Sequence, residues 1–385
     1  MDYYCLSKFT DLQVHVQSRL LYNCEKAYPE RITTEWLEKN PGRLFHTDTM
    51  LADRNLMLEN KMCEACHYGC YRYEEQGLES RRSIWGRPKN VKKILDPHAQ
   101  LQTLVIMLST DCNLACVYCS PEFSTRWQRE LDKDGEYKLD EHTIKNNNWT
   151  TLWSKMKQKT RSSESRFLKL LFREIILAKG LRKISLLGGE PLLNNQLPEL
   201  IQKSCDKVIE VTTGLGVTAD RLEGIIKKIK GIDVRFMISA ESTGKNFEFI
   251  RYGSSWKEFQ ERTDTLKNFD YNIRFVSTIT NLCLFDFHNF YKKYAGEHKI
   301  ILNPISMKPF LSPHVMDDLS KETCQNEIDH IDDPLHRDIL SKMILPKPSN
   351  KDRNMLGSYL SQLSKRRGVA LDFLPEHFLR WCGVN

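Results

Sequence analysis

Beyond residue 100 the chain keeps one rhythm, and that rhythm most narrows what it can fold into. Six short apolar strands alternate with helical segments. The strands read as "LQTLVIML" (101–108), "RKISLL" (182–187), "KVIEVTT" (207–213), "DVRFMIS" (233–239), "NIRFVSTIT" (272–280) and "KIILNPI" (299–305). Between them lie amphipathic stretches at 165–180, stopped by Gly180, and at 219–230, 257–269 and 284–295. Such alternation predicts a parallel sheet with right-handed crossovers. Sheets of that kind bind ligands at the C-terminal ends of their strands. Two stretches depart from the rhythm: residues 128–164, a polar insertion holding "NNNWTTLW", and the tail from 314, helical and polar with breaks at Pro346 and Pro348. The first 100 residues are different in kind, cysteine-rich and aromatic, and they end in a basic linker-like passage over 80–100.

Composition adds boundaries. Apolar residues make up 40% of the 385 and charged residues 28%, the balance of a globular protein. The start, "MDYYCLSKFTDL", lacks the basic-then-apolar pattern of a secretory signal, and no window approaches about 18 uninterrupted apolar residues. The expectation is a cytoplasmic protein with no membrane partner. A formal charge of +7 is mild and spread along the chain, a solvated surface first and an anion-binding one second. It leaves nucleic acid open as a partner. Of 12 cysteines, Cys205, Cys283, Cys324 and Cys382 are scattered, as small buried hydrophobes commonly are. The other eight are grouped, and in a reducing compartment grouping points to metal.

Each suggestive motif of the second half falls where a strand ends. "CNLACVYC" (112–119) follows the first, "GGEP" (188–191) the second, "TTG" (212–214) the third, "SAES" (239–242) the fourth, and Asn281 follows the fifth. In a parallel α/β sheet these loops share one rim. Three thiolates, Cys112, Cys116 and Cys119, suit an iron–sulfur cubane, and a fourth iron without a protein ligand leaves a coordination site open.

Here the sequence resembles the radical S-adenosylmethionine (SAM) enzymes, whose motif is C-x3-C-x-aromatic-C, with Tyr118 in the aromatic place. The resemblance implies a partial (β/α)6 TIM-like barrel. Within it, Cys112, Cys116 and Cys119 hold a [4Fe-4S] cluster and SAM chelates the fourth iron. One electron then cleaves the sulfonium to a 5′-deoxyadenosyl radical that takes a hydrogen atom from the substrate. Gly188 and Gly189 would let the backbone approach SAM, Glu190 of the GGEP turn (closed by Pro191) would accept from its ammonium, and Ser239 and Glu241 would meet its ribose and carboxylate. Tyr118 would pack near adenine, and Asn281 would be a polar strand-five contact. Ser239 and Glu241 also read as an ordinary strand-end cap, and Tyr118 as a core aromatic.

Cys5 and Cys24 flank a hairpin-like passage, and "MCEACHYGC" supplies Cys63, Cys66 and Cys70. Cys5, Cys24, Cys63 and Cys66 make a four-thiolate set, and by count it suits a second [4Fe-4S] cluster or zinc equally. Cys70 leaves the fourth ligand open. The passage resembles a twitch or SPASM-type accessory domain placed ahead of the barrel. Shared features of a bacterial and phage group of such proteins reinforce it: "CEAC" running into "YEEQG" and "SRR", "CSPEFSTRW", "NPISMKPFLSPHV" and "LSKRRGVALDFLPE". The expected organisation is 1–95 auxiliary cluster domain, 96–312 radical SAM barrel and 313–385 helical extension. The implied function is radical modification of a peptide, protein or other natural-product precursor, fed by an electron donor such as flavodoxin or ferredoxin. A nucleotide- or sugar-modifying enzyme, or a non-catalytic Fe–S or zinc protein, are the alternatives.

Overall fold

A computed structural model of the chain describes residues 3–24, 27–75, 80, 82–83, 96, 98–139, 164–305 and 308–384. The "NNNWTTLW" insertion and most of the linker passage lie outside the described residues. The chain divides into two compact units, Met1–Ser109 with Met156–Val211 and Ile229–Val234, and Thr110–Lys155 with Thr212–Lys228 and Arg235–Asn385.

In the first unit six strands lie in the order β3-β2-β1-β4-β5-β6: β1 (Asp11–His15), β2 (Leu20–Tyr22), β3 (Glu30–Arg31), β4 (Thr103–Met107), β5 (Lys183–Leu187) and β6 (Val208–Thr213), whose last two residues belong to the second unit. β1 and β2 form the expected hairpin, antiparallel with Gln13 opposite Tyr22. β1 then joins β4 in parallel, from Asp11 opposite Thr103 to His15 opposite Met107. β4–β5 and β5–β6 are parallel too, with Thr103 opposite Lys183 and Lys183 opposite Val208. The cysteine-rich beginning thus extends the parallel sheet as well as carrying thiols. Helix Glu164–Leu177 buries Phe167, Leu168, Leu171, Phe172 and Ile175, one apolar stripe at helical spacing. From the same helix, buried Glu174 accepts from the backbone N–H of Gly42 (3.1 Å) and of Leu44 (3.3 Å), fixing an N-terminal turn.

The second unit holds β7 (Val234–Ser239), β8 (Asn272–Ile279) and β9 (Lys299–Pro304), all parallel, with Arg235 opposite Asn272 and Arg274 opposite Lys299. Helices Ala219–Lys228, Gly244–Ile250, Trp256–Asn268 and Phe287–Tyr294 accompany them. All six strands anticipated after residue 100 are present, each parallel to its neighbours within its own set, and among the described residues neither strand set closes on itself, as in a partial barrel. The tail is four helices, Asp318–Asp329, Pro334–Ile344, Asn350–Arg367 and Glu376–Cys382, with Pro346 and Pro348 in the break between the second and third. Gly357 lets the last two of these meet: a Cβ there would lie 1.9 Å from the Cys382 carbonyl oxygen. A helix over Thr125–Asp134 also stands at the start of what reads in sequence as insertion. No helix among the described residues is long and apolar enough to cross a membrane.

Candidate radical SAM site and a second thiol group

The stretch 112–119 is held chiefly through its backbone. Ser124 caps helix Thr125–Asp134, accepting from the Trp127 N–H (3.2 Å), while its hydroxyl donates to the Leu114 carbonyl (2.6 Å). The Thr125 hydroxyl accepts from the Cys112 N–H (3.1 Å) and donates to the Cys112 carbonyl (3.2 Å). Trp127 Nε1 donates to the Cys116 carbonyl at 2.8 Å. On another side the N–H groups of Ala115 and Val117 donate to the carbonyls of Tyr252 and Ile250, each at 2.8 Å. Ser124 and Trp127 are the Ser and Trp of the "CSPEFSTRW" motif, so that motif is the bracket of the loop.

The three thiols pack into one group with Leu114 and Tyr118; Cys112 and Cys116 are buried and Cys119 half-buried. Burial pushes the Cys116 thiol up, and the Cys119 thiol up to about 12. A bound cation reverses that preference, because a coordinating thiol is deprotonated outright.

Two of the anticipated residues join this loop to a polar centre of the second unit. Glu241 is fully buried, and Arg251 NH2 donates to its Oε2 at 2.9 Å. The Tyr118 hydroxyl lies 3.3 Å from both carboxylate oxygens. Arg251 NH1 reaches Cys116 Sγ at 3.9 Å, and its guanidinium sits 5.7 Å from the Tyr118 ring centre. Burial raises the Glu241 carboxyl against the pull of Arg251. Arg251 is a residue that sequence reading misses, since an arginine ending helix Gly244–Ile250 carries no motif.

Ser239 is the last residue of β7 and half-buried. Asn281 is buried, and its amide donates to the Phe310 and Val315 carbonyls at 3.0 and 3.1 Å, so it fastens the segment after β9. In the first unit, Gly188 has φ +154°, and a Cβ there would lie 2.6 Å from the Ser109 carbonyl oxygen. Only glycine lets the turns after β4 and β5 approach so closely. Gly189 N–H then donates to the same oxygen at 2.8 Å. Buried Glu190 accepts from the Leu192 N–H at 3.2 Å, capping the short turn Pro191–Leu193.

The other thiol group belongs to the first unit. Cys5, Cys63 and Cys66 share a buried cluster with Phe9, Met57 and Tyr71, and Cys24 packs against it. Cys70 is buried as well, and with Cys24 it adds to the burial that pushes the Cys5 thiol up to about 11. Lys8, 2% exposed, donates to Asp53 at 2.6 Å. Burial opposes its charge, but Cys66, Cys63 and Asp53 outweigh that and push its pKa up. The "YEEQG" and "SRR" motifs also gain a role: buried Arg82 pairs with Glu74 and lies 4.8 Å from the centre of the Tyr71 ring.

Among the described residues no three Cys, His, Asp or Glu side chains are drawn together into a metal-ligand set. The donor chemistry fits the expected groups nonetheless: each unit collects three or more thiols with a buried cation beside them. In the second unit, Arg251 Nε and Ser120 Oγ are also buried without a hydrogen-bond partner. Orphaned donors of this kind suit an anionic group.

Residues 106–290 match the family described as the Radical SAM superfamily. No curated protein matches the chain. Among solved structures, anSMEcpe with bound AdoMet and the Kp18Cys peptide overlaps 59% of this chain and 59% of its own, at 13% identity and TM-score 0.38. SuiB of Streptococcus suis bound to S-adenosylmethionine overlaps 77% of this chain and 62% of its own, at 14% identity and TM-score 0.32. SuiB bound to its precursor peptide SuiA overlaps 96% and 72%, at 14% identity and TM-score 0.34. The chain therefore spans about three fifths of the length of the first of these relatives. Over residues 106–290, just under half of its length, the chain is thus similar to the radical SAM superfamily.

Proposed function

We propose that the chain is a radical SAM enzyme acting on a peptide, a protein or another natural-product precursor. The observation that carries this reading is the buried Arg251–Glu241–Tyr118 centre, set against Cys116 inside the matched domain. Cys112, Cys116 and Cys119 would hold the cluster, which with SAM supplies one-electron cleavage of the sulfonium to a 5′-deoxyadenosyl radical. Glu241, kept in place by Arg251, would accept from a ribose hydroxyl or an ammonium, and Tyr118 would fix the orientation of that carboxylate. Buried apolar walls such as Leu114 and Val117 exclude water from the radical's surroundings. Ser239, Asn281, Gly188, Gly189, Glu190 and Pro191 complete the proposed cofactor contacts.

For the thiols of the first unit we propose an auxiliary [4Fe-4S] cluster held by Cys5, Cys24, Cys63 and either Cys66 or Cys70, passing an electron on from the substrate radical. The packing of Cys5, Cys63, Cys66 and Cys24 in one cluster, with buried Lys8 near Cys63 and Cys66, supports that reading. The proposed division of labour is 1–95 for this accessory site, 96–312 for radical chemistry and 313–385 as helical cover. A cytoplasmic setting with flavodoxin or ferredoxin as donor completes the proposal. The test is anaerobic reconstitution with iron and sulfide, then dithionite and SAM, with chromatography for 5′-deoxyadenosine. Its formation supports the enzyme, and its absence from protein carrying a full iron load overturns it.

A further inference from the structure

Lys308 lies in the "NPISMKPFLSPHV" motif after β9, and the chemistry described so far does not use it. Its ammonium donates to the Val117 carbonyl at 2.7 Å and lies 2.8 Å from the Tyr359 hydroxyl. Tyr359, buried in helix Asn350–Arg367, donates to the same carbonyl at 2.6 Å. The lysine nitrogen sits 4.7 Å from the centre of the Trp127 ring and 4.8 Å from that of Tyr359, between two aromatic faces; burial pulls its pKa down to about 7, and negative charge on Cys119 works the other way. Trp127 meanwhile holds the neighbouring Cys116 carbonyl.

Two consecutive peptide carbonyls between the second and third cysteines are therefore held by outside donors. A carbonyl that takes two donors at 2.6 and 2.7 Å is held more firmly than one with a single donor. Tyr118 follows that peptide directly and Cys119 comes next. Turning the 117–118 peptide would swing the Tyr118 ring off Glu241 and change the direction of the Cys119 sulfur.

We infer that Lys308 is a positioning residue for the SAM-binding cluster: with Tyr359 it locks the Val117–Tyr118 peptide, and so sets the orientation of Cys119 and the charge felt by the cluster. This inference rests on the proposed cluster at Cys112, Cys116 and Cys119. Beside a bound cluster the ammonium would favour the reduced, more negative state, so the lysine also sets how readily the site accepts its electron.

The test compares reconstituted full-length parent, Lys308→Met, Lys308→Arg and Tyr359→Phe. Iron content, the EPR signal and midpoint of the reduced cluster, and the rate of 5′-deoxyadenosine formation are measured. Lys308→Met is expected to keep the parent's iron, to shift the midpoint to more negative potential, and to slow SAM cleavage about tenfold. Lys308→Arg should recover most of the midpoint. A parent midpoint and EPR signal in Lys308→Met overturns the inference and leaves the proposed function standing. If Lys308→Met does not fold, Tyr359→Phe decides: an altered EPR signal at parent iron load supports the lock, and an unchanged one overturns it. A parent chain whose iron load ignores alanine at Cys112, Cys116 and Cys119 would overturn the cluster assignment itself.

Discussion

The two thiol groups are built in opposite ways. The second unit spends eight consecutive residues on three cysteines and fixes them through the backbone, by Ser124, Thr125, Trp127, Tyr252 and Ile250. The first unit packs Cys5, Cys24, Cys63 and Cys66 into one cluster from distant positions and borders them with side chains, chiefly the Lys8–Asp53 pair and Tyr71. A loop fixed by its own main chain can present an incomplete ligand set without collapsing, which suits a site where a cofactor must enter. A group assembled from distant cysteines gains its order from the bound metal, as structural metal sites do. The contrast teaches that donor count is a poorer guide to role than the way the donors are held.

The largest expected effect comes from changing Cys112, Cys116 and Cys119 together to Ala. We expect 5′-deoxyadenosine formation to vanish while iron remains in the first unit, measured by iron, sulfide and zinc quantitation. A variant retaining about one zinc and no iron would make the first-unit site a zinc site and end the auxiliary-cluster reading.

Arg251→Met comes next. It strands a fully buried carboxylate, and breaking a buried pair costs about 3–5 kcal/mol, read as a lowered denaturation midpoint. Adding Glu241→Gln should return much of that stability. A single variant within 1 kcal/mol of the parent, roughly the scatter of exposed pairs, would mean the pair is not closed to water.

Lys8→Met removes the cation beside Cys63 and Cys66. Asp53 keeps some exposure, so we expect a smaller cost, about 2 kcal/mol, with faster metal loss to a chelator from the first unit alone. Equal loss from both sites would erase the distinction drawn above. The smallest effect is Ser124→Ala, about 1 kcal/mol for a lost cap, with a broadened cluster signal because the Leu114 carbonyl loses its donor.

How much of this was legible in the sequence varies by kind of interaction. The strands after residue 100 were, because apolar periodicity is local and each strand carries its own. The cysteine loop was legible because its spacing is a covalent fact. Helix Thr125–Asp134 was not, since "TRWQRELDKD" buries only Trp127 and reads as polar insertion. The pairing of β1 with β4 was hidden because its partners lie some ninety residues apart and neither strand names the other. Arg251 and Tyr359 escaped notice for a related reason: each acts on the cysteine loop from far along the chain, where no local pattern marks it; Lys308 stood out only as a basic residue that could meet an anionic substrate, and its hold on the Val117 carbonyl was not legible. Glu190 and Asn281 were singled out as cofactor contacts, and the structure adds a turn cap and a loop tie to them.

One feature reaches into the order of synthesis. The Val117 carbonyl waits for Tyr359, 242 residues downstream, whereas Cys5, Cys24, Cys63, Cys66 and Cys70 are all translated by residue 70. Domains fold as they emerge. On a translating ribosome, then, the thiols at 5 to 70 emerge early, while the Val117 carbonyl stays without its Tyr359 donor until helix Asn350–Arg367 has emerged. Truncating that helix would leave a chain with every cysteine of the site and a Val117 carbonyl that has lost its Tyr359 donor.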